Sequence, residues 1–576
     1  MNDKTRTVAR SYDEDGLPVW HSQTSPTSMT TRAECLMHPD RIIPVIFVPG
    51  IMGSNLKSKD VTRSKKIVNI WRPDLTGAVT KIIGLSPAGR KTVFNPENVQ
   101  VDRDIDVNGQ RLANATNGFP AKLIQARGWG TIFWGSYGPL LEYLESNLND
   151  VLRWDSAKNE TIVGESWTPY ISHGVAVKSD GKEHILRLTK GELEQVAKYW
   201  YPVHAAGYNW LQSNEQSGKD LAREIDVILN HYRDKWGSKA VQKVILVTHS
   251  MGGLVARAAV HPKMGNASDK VLGILHGAMP ALGAPAAYKR MRAGNEAGGF
   301  SINPITVLKS IATWMFLGAY GPDVAPVLGQ SPGGLQLLPN QNYPTGWLTV
   351  RAGGVSYPIE GNPYKTIYSE RSRWWRLVNP DWLDPGGDSG VRYDESGAVV
   401  TKTDPAWAKY MVCLSSAEQF HASLGDYYHP VTYAFFGSDT EHKAWGKIQW
   451  DIGTLRFAMR GPMSVFDSNA ELKKLAMDGL PTSDNGSGTM EARAVDSSWM
   501  GDLRDRFSIR DPESPGDGTV PHESGRAPGK RGGAIEQFAF DGFDHQSAYL
   551  PEMANVMAVT KYAVAKIAKR ADWGDV

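Results

Sequence analysis

Six short apolar runs, each bounded by turn residues, are the clearest pattern along the chain and predict buried strands. They cover residues 41–53, 201–210, 243–248, 271–278, 431–437 and 534–540. Amphipathic stretches with helical spacing separate several of these runs, as at residues 217–236, and another follows the last run at 554–570. Alternating strands and helices are typical of a parallel sheet covered by helices, so the sequence predicts an α/β fold.

Residues 300–428 interrupt this alternation with Gly- and Pro-rich pieces and few clear strands. The chain has 576 residues, whereas one hydrophobic core rarely grows beyond about 250–300 residues. The surplus length and the interruption together indicate one catalytic core that carries a large insertion. We therefore predict an N-terminal arm at 1–38, a first core segment at 39–300, a cap or lid insertion at 301–427, and a second core segment at 428–576.

Composition excludes several classes of protein. The chain has 63 Lys and Arg residues against 61 Asp and Glu residues, a net charge of +2, so it lacks the strong positive field that nucleic-acid binding needs. Its two cysteines exclude a disulfide framework and a four-cysteine zinc site. Without a metal-ligand spacing we expect neither a metal nor a cofactor. The N-terminal residues lack the apolar segment of a signal peptide, so we expect synthesis in the cytoplasm.

The stretch V-T-H-S-M-G-G at residues 247–253 lies between a predicted strand and a predicted helix. This is the setting of a nucleophile elbow, in which a sharp turn exposes a serine hydroxyl above the edge of the sheet. Thr248 stands where the usual G-x-S-x-G pattern has its first glycine, while Gly252 and Gly253 supply the small neighbours that a strained turn requires. Ser250 is therefore the predicted nucleophile, and the adjacent His249 is expected to point away from it.

A serine nucleophile needs a base, and the base needs a carboxylate that orients it. On this fold both follow the serine, in the order acid and then histidine. Asp517 in P-G-D-G-T-V-P and His545, just past the last predicted strand, meet this order and are the predicted acid and base. The alternatives left open are His522 and His429 as bases and Asp439 and Asp544 as acids.

Acyl transfer also needs backbone N–H groups that bind the developing oxyanion. One should come from Met251, which follows the nucleophile. The other should come from the loop after the first strand, V-P-G-I-M-G, where Gly50 allows a turn and the Ile51 amide is the best candidate.

These motifs together resemble the lecithin:cholesterol acyltransferase and lysosomal phospholipase A2 family. The shared pieces occur in the same order, from V-P-G-I-M-G-S-N-L through G-W-G, G-Y-N-W and H-S-M-G-G to G-D-G-T-V. The form H-S-M-G-G-L-V-A-R is also similar to that of the inositol deacylases that act on lipid anchors. The resemblance implies an α/β-hydrolase fold and assigns an oxyanion donor to Ile51. The size of the chain, its elbow and its lack of a signal peptide resemble the antibacterial phospholipase effectors of type VI secretion.

An enzyme with a lipid substrate often covers its apolar site with a lid. The best candidate is residues 305–320, with a helix packed permanently on the core as the alternative. Apolar side chains recur there at helical spacing: Val307, Leu308, Ile311, Trp314 and Met315. The Trp-rich residues 374–382 are a second candidate for lipid contact, with a packed aromatic core as the alternative.

The sequence therefore predicts a serine esterase that hydrolyses the acyl esters of phospholipids. The resemblance to effectors implies three partners: a phospholipid membrane, a protective immunity protein, and a secretion machine that delivers the enzyme to the periplasm of a target cell. Two alternatives remain at this point. One is a lipid-anchor deacylase or acyltransferase of the same fold, and the other is a homologue that binds lipid or protein without catalysis.

Overall fold

A central sheet of six parallel strands forms the core of the computed structural model. The model describes residues 10–12, 18–20, 41–60, 68–74, 76–105, 119–155, 160–237, 239–294, 318–387, 391–393, 399–402, 404–452, 468–494, 504–542 and 544–572. The strands of the central sheet are β1 (Val45–Val48), β2 (Val203–Ala205), β3 (Val244–His249), β4 (Val271–Gly277), β5 (Thr432–Gly437) and β6 (Glu536–Phe540). Their order in the sheet is β2-β1-β3-β4-β5-β6, and every neighbouring pair is parallel. Each of the six apolar runs coincides with one of these strands to within one residue at 243–248 and contains it elsewhere.

Helices cover both faces of this sheet, which is why its strands are rich in apolar residues. The helices used below are α1 (Trp134–Leu148), α2 (Asn214–Trp236), α3 (Met251–Val260), α4 (Pro285–Ala293), α5 (Pro405–Leu424) and α6 (Ala554–Ala568). Helix α2 buries Leu221, Ile225 and Leu229 in the core, as its helical spacing predicts. The predicted α/β-hydrolase fold, a parallel sheet between layers of helices, is confirmed.

Shorter helices connect and cover these elements. The α-helical ones are Thr76–Ile83, Pro87–Val93, Ala121–Ala126, Thr168–Ser172, Lys190–Val196, Gly321–Leu328, Pro332–Leu335, Ser468–Asp478, His522–Gly525 and Ala527–Lys530. Single turns of tighter or wider helix lie at Trp129–Thr131, Ser268–Lys270, Tyr364–Tyr368 and Pro380–Leu383.

A second sheet, here called the accessory sheet, has mixed strand directions. Its strands, in spatial order, are Val355–Pro358, Leu348–Ala352, Ile448–Ile452, Arg504–Ile509, Thr489–Arg493 and Leu480–Asp484. One neighbouring pair, Leu348–Ala352 with Ile448–Ile452, is parallel, and the others are antiparallel. The sheet thus joins strands from the predicted insertion with strands from the predicted second core segment.

The remaining strands form small antiparallel sheets at the periphery. They are Arg10–Tyr12 with Pro18–Trp20, Leu56–Ser58 with Asn69–Trp71 and Val99–Val101, Leu152–Asp155 with Glu160–Val163, Val175–Ser179 with Lys182–Leu186, Val391–Tyr393 with Val399–Lys402, and Asp439–Ala444 with Ser514–Gly516. The last pair bears on the site. One of its strands follows β5 and the other precedes Asp517, so their pairing brings together the two ends of the segment between β5 and Asp517.

The accessory sheet and the side chains packed on it are here called the accessory region, and Trp374 of the Trp-rich residues 374–382 lies in its interior. Trp374 is fully buried, its indole N–H donates to the carbonyl oxygen of Ala476, and its ring packs on Trp450 and Phe507. A packed aromatic core, rather than lipid contact, therefore accounts for Trp374.

Candidate active site

Ser250 occupies a strained turn between β3 and α3. Its φ of 52° and ψ of −125° lie outside the regions that L-residues favour. The Ser250 N–H donates to the carbonyl oxygen of Gly277 at the end of β4, over 2.9 Å, and this bond holds the turn against the neighbouring strand. Backbone strain at a single serine at the carboxyl edge of a parallel sheet is the geometry of a nucleophile elbow.

The two glycines after the nucleophile are required by close packing. A Cβ atom on Gly252 would lie 2.4 Å from the carbonyl oxygens of both Val48 and Pro49, and one on Gly253 would lie 2.6 Å from the sulfur of Met279. Thr248 stands where the usual pattern has its first glycine, and its buried hydroxyl lies 3.0 Å from His276 Nδ1. The turn at Ser250 is formed with threonine at this position.

Three sequence-predicted residues meet at this turn. His545 Nε2 lies 2.8 Å from Ser250 Oγ, and His545 Nδ1 lies 2.8 Å from Asp517 Oδ2. Because the carboxylate can only accept, Nδ1 carries the proton and Nε2 accepts from the serine hydroxyl. The three residues are 4%, 7% and 1% exposed in the order Ser250, His545 and Asp517, so little water competes for these bonds.

Asp517 is held in place by its own loop. Its second carboxylate oxygen accepts the backbone N–H groups of Thr519 and Val520, over 3.0 and 2.7 Å, and its carbonyl oxygen accepts the His545 N–H over 2.8 Å. A Cβ on Gly437, the last residue of β5, would lie 2.6 Å from the Asp517 Cβ. The acid thus sits at the end of β5 in space, although the accessory strands Ile448–Ile452, Leu480–Asp484, Thr489–Arg493 and Arg504–Ile509 intervene in the chain.

The alternative acids and bases make other contacts. His522 Nδ1 lies 2.7 Å from Ser438 Oγ, and His429 Nδ1 lies by the backbone of Val431. Asp439 Oδ2 lies 2.8 Å from His442 Nδ1, while Asp544 accepts the hydroxyl of Ser547 over 2.7 Å. Of the candidate pairs, His545 and Asp517 are the pair that the structure brings to Ser250.

The loop expected to bind the oxyanion lies directly against the nucleophile. A Cβ on Gly50 would lie 3.0 Å from Ser250 Cβ, so a larger residue there would displace the loop. Met251 is the first residue of α3, a position whose N–H has no acceptor within the helix. The structure therefore brings the loop that carries Ile51 beside the turn that carries Met251.

Sequence reasoning missed a hydrogen-bonded bridge behind the serine, formed by Tyr137 of α1 and His249. His249 Nε2 lies 2.9 Å from the carbonyl oxygen of His545, and His249 Nδ1 lies 2.9 Å from the Tyr137 hydroxyl. Since a carbonyl only accepts, Nε2 carries the proton and Nδ1 accepts from Tyr137. Burial, with His545 beside it, places the pKa of His249 well below its usual value, which keeps the ring neutral.

The Tyr137 hydroxyl in turn accepts the Gly50 N–H over 3.3 Å. The bridge therefore joins the backbone of the oxyanion loop to the backbone of the base. No motif in the sequence points to Tyr137, because its partners are distant in the chain and meet only after folding.

A cavity opens above Ser250 and His545, and both residues contribute to its lining. Its walls are largely apolar and include Ile51, Phe133, Pro280, Ala287, Leu337 and Val520. A mainly apolar cleft with a few convergent polar groups is typical of a site for a small molecule or an acyl chain. The predicted lid residues Val307, Leu308, Ile311, Trp314 and Met315 lie outside the described residues, so the lid remains a prediction.

Two kinds of feature are absent from the part of the chain that the structure describes. Within it, no three or more His, Cys, Asp or Glu side chains form a cluster suited to a metal ion. None of the helices that the structure describes combines the length and the apolar character needed to cross a bilayer.

The fold and this edge of the sheet define an α/β-hydrolase. Residues 215–293, which include α2 except its first residue, the elbow and α4, match a family model described as a PGAP1-like alpha/beta domain. Comparison with curated proteins finds no match.

Among the solved structures that match is Tle4, from the crystal structure of the Tle4–Tli4 complex. The two chains are 26% identical, with a TM-score of 0.68, and the match covers 92% of this chain and 99% of the other. The likeness thus extends over the central and accessory sheets alike.

Proposed function

We propose that this protein is a serine ester hydrolase that cleaves the acyl esters of phospholipids. The observation that carries the proposal is the chain of contacts from Asp517 through His545 to Ser250, at the floor of a mainly apolar cavity. A hydrolase of the α/β-hydrolase fold is the coarser conclusion that the fold and the comparisons support.

In the proposed reaction the Ser250 hydroxyl attacks the ester carbonyl and His545 Nε2 takes its proton. Asp517 orients the ring and stabilises its charged form. The amides of Ile51 and Met251 bind the oxyanion of the tetrahedral intermediate. His545 then protonates the leaving alcohol, and the same base activates the water that hydrolyses the acyl-enzyme.

Two resemblances support the proposed phospholipid substrate and biological role. The motifs in the chain resemble those of the lysosomal phospholipase A2 family, while its size, its elbow and its lack of a signal peptide resemble the type VI secretion phospholipase effectors. The likeness to Tle4 extends over almost the whole chain. We therefore propose an antibacterial effector that a secretion machine delivers into the periplasm of a target cell. Because Tle4 is found in complex with Tli4, we also propose that a protective protein binds this chain.

The decisive experiment compares Ser250→Ala with Ser438→Ala. Ser438 is a matched control because its hydroxyl also contacts a histidine ring, that of His522. The Ser250 variant should no longer be labelled by a fluorophosphonate probe, and its kcat should fall about 10⁴–10⁶-fold. The Ser438 variant should keep both its labelling and its kcat. Undiminished labelling of the Ser250 variant would sink the proposal.

The match to a PGAP1-like domain favours a second candidate, deacylation of a lipid anchor or acyl transfer to an alcohol. Both reactions would use Ser250 as the nucleophile. Deacylation of an anchor differs from phospholipid hydrolysis in its substrate, and acyl transfer differs from it in the group that accepts the acyl chain. Product analysis with mixed acceptors separates them, because transfer yields a new ester where hydrolysis yields a free fatty acid. A homologue without catalysis would show no turnover even of short-chain esters.

A further inference from the structure

The wall of the cavity carries one strong cation. Among the described residues that line it, Arg290 is the only Arg or Lys, while most of its neighbours there are apolar. A guanidinium on an otherwise apolar wall is placed where it can donate charge-assisted hydrogen bonds to an anionic group of a substrate.

Helix α4 aims Arg290 at the site. Ala286 and Ala287 also line the cavity, and Arg290 follows them by one turn on the same face of the helix. The small alanines take up little room in the cavity, and the long arginine side chain lines the same cavity from the next turn of the helix. The helix thus presents an apolar surface and a cation in sequence along one wall.

Hydrogen bonds connect Arg290 to the loop of the triad. Arg290 Nη2 donates to the Thr519 hydroxyl over 3.1 Å, and the Thr519 N–H donates to Asp517 Oδ1 over 3.0 Å. Burial lowers the pKa of Arg290 to about 10 while the Asp517 carboxylate raises it, so the guanidinium is charged at neutral pH. A guanidinium presents several N–H donors, which allows it to bond Thr519 and an entering anion together.

We propose that Arg290 and Thr519 form a subsite for the phosphodiester of a glycerophospholipid whose acyl ester lies at Ser250. This inference rests on the proposed function and deepens it, since it names the feature that separates phospholipids from neutral acylglycerols. The guanidinium supplies charge-assisted donors to the phosphate oxygens, and the Thr519 hydroxyl, which accepts from Arg290, donates its own proton to the same group. The apolar walls at Phe133, Leu337 and Val520 receive the acyl chain.

The test compares Arg290→Gln and Arg290→Lys with the wild-type enzyme. The Gln side chain keeps an N–H donor for Thr519 without the charge, while the Lys side chain keeps the charge without the planar group. Each enzyme is given three substrates: phosphatidylglycerol and diacylglycerol with identical acyl chains, both in neutral detergent micelles, and p-nitrophenyl butyrate. Arg223→Gln is the matched control, because Arg223 is an exposed arginine on α2 and its loss changes the net charge equally.

For Arg290→Gln we expect kcat/KM to fall about 10–100-fold on phosphatidylglycerol, the range of a lost charge-assisted contact. It should fall less than about threefold on the two neutral esters. Arg290→Lys should lose less on the phospholipid than Arg290→Gln, and Arg223→Gln should behave as wild type on all three substrates.

Three results would overturn the inference. Equal losses on all three substrates would make Arg290 a positioning residue that acts through Thr519 on Asp517. An unchanged rate on phosphatidylglycerol would remove its role altogether, and an equal loss in Arg223→Gln would assign the effect to net charge. A wild-type enzyme without activity on any ester would instead contradict the proposed function, so the two failures are distinguishable.

Discussion

The central and accessory sheets each contain six strands, yet their strands differ in the pattern of apolar and polar residues. The central strands are parallel and covered on both faces, and strands such as Val45–Val48 and Val271–Gly277 are buried at every position. In the accessory sheet, Leu348–Ala352 and Ile448–Ile452 are fully buried only at alternate positions. A doubly covered strand reads as one apolar run, whereas a strand with one wetter face mixes polar and apolar residues.

The comparison teaches where function can be read from a sequence on this fold. Ser250 and His545 follow central strands β3 and β6 closely, so the pattern that reveals those strands also reveals the residues beyond them. The accessory sheet contributes differently, since four of its strands lie between β5 and Asp517. The accessory sheet is therefore part of the segment that leads from β5 to the acid. Variants in the two sheets can show which of them determines catalysis and which determines stability.

The largest expected effect tests whether catalysis belongs to the edge of the central sheet alone. His545→Ala removes the ring that contacts both Ser250 and Asp517, so we expect kcat for a short-chain ester to fall by about 10⁴-fold. His522→Ala should retain activity because its ring contacts Ser438 instead. Steady-state kinetics measures both variants, and the opposite outcome would move the base to His522.

The next effect tests whether the two regions unfold together. Arg292 of α4 lies 2.5 Å from Asp484 of the accessory sheet, and both side chains are buried. Arg292→Met leaves the carboxylate buried without this cation, so we expect a loss of about 3–5 kcal/mol in the free energy of unfolding. Urea denaturation followed by two probes measures it.

The double variant Arg292→Met with Asp484→Leu is the control for that measurement. It removes both charges and should recover much of the lost stability, because an apolar pair replaces a buried ion pair at little cost. A second, separate unfolding transition in the single variant would show that the accessory region unfolds on its own.

A pH effect is expected at α5, which lies outside both sheets. His421 of α5 donates its Nε2 proton to the carbonyl oxygen of Gln336 over 2.7 Å, and burial lowers the pKa of His421 to about 4. A histidine with a lowered pKa favours folding above its unfolded pKa of about 6.5. This contribution is lost as the pH falls from about 6.5 to about 4, by at most about 1.4 kcal/mol per pH unit.

The measurement compares His421→Gln with the wild type by denaturation from pH 7.5 to pH 4.5. The wild type should lose its stability advantage over the variant as the pH falls, since the other histidines are common to both. Parallel curves for the two proteins would contradict the role of His421.

The smallest expected effect tests the hydrogen-bonded bridge of Tyr137 and His249 behind Ser250. Tyr137→Phe removes the hydroxyl that accepts the Gly50 N–H and contacts His249, so we expect kcat to fall about tenfold with KM little changed. Tyr143→Phe, on the same helix, is the control because Tyr143 is not among the residues that line the cavity. Equal rates in Tyr137→Phe and the wild type would mean that the bridge behind Ser250 does not support catalysis.

Particular residues show how far sequence reasoning reached. The elbow at Ser250 was predictable because a strand, a turn and a helix must follow one another within a few residues. His545 and Asp517 were predictable in order, and the structure brings both to the serine. The role of Tyr137 was not predictable, because it depends on contacts with Gly50 and His249, residues far from it in the chain.

The sequence by itself determined the parallel core and the positions along the chain where a nucleophile, an acid and a base can stand. These depend on local patterns, namely apolar runs long enough to be buried and small residues at sharp turns. Three features depend on the tertiary structure alone. They are the pairing of strands in the accessory sheet, the position of Asp517 beside the end of β5, and the place of Arg290 in the lining of the cavity. Each of these depends on contacts between distant segments, and no local pattern of polar and apolar residues encodes which distant segments will meet.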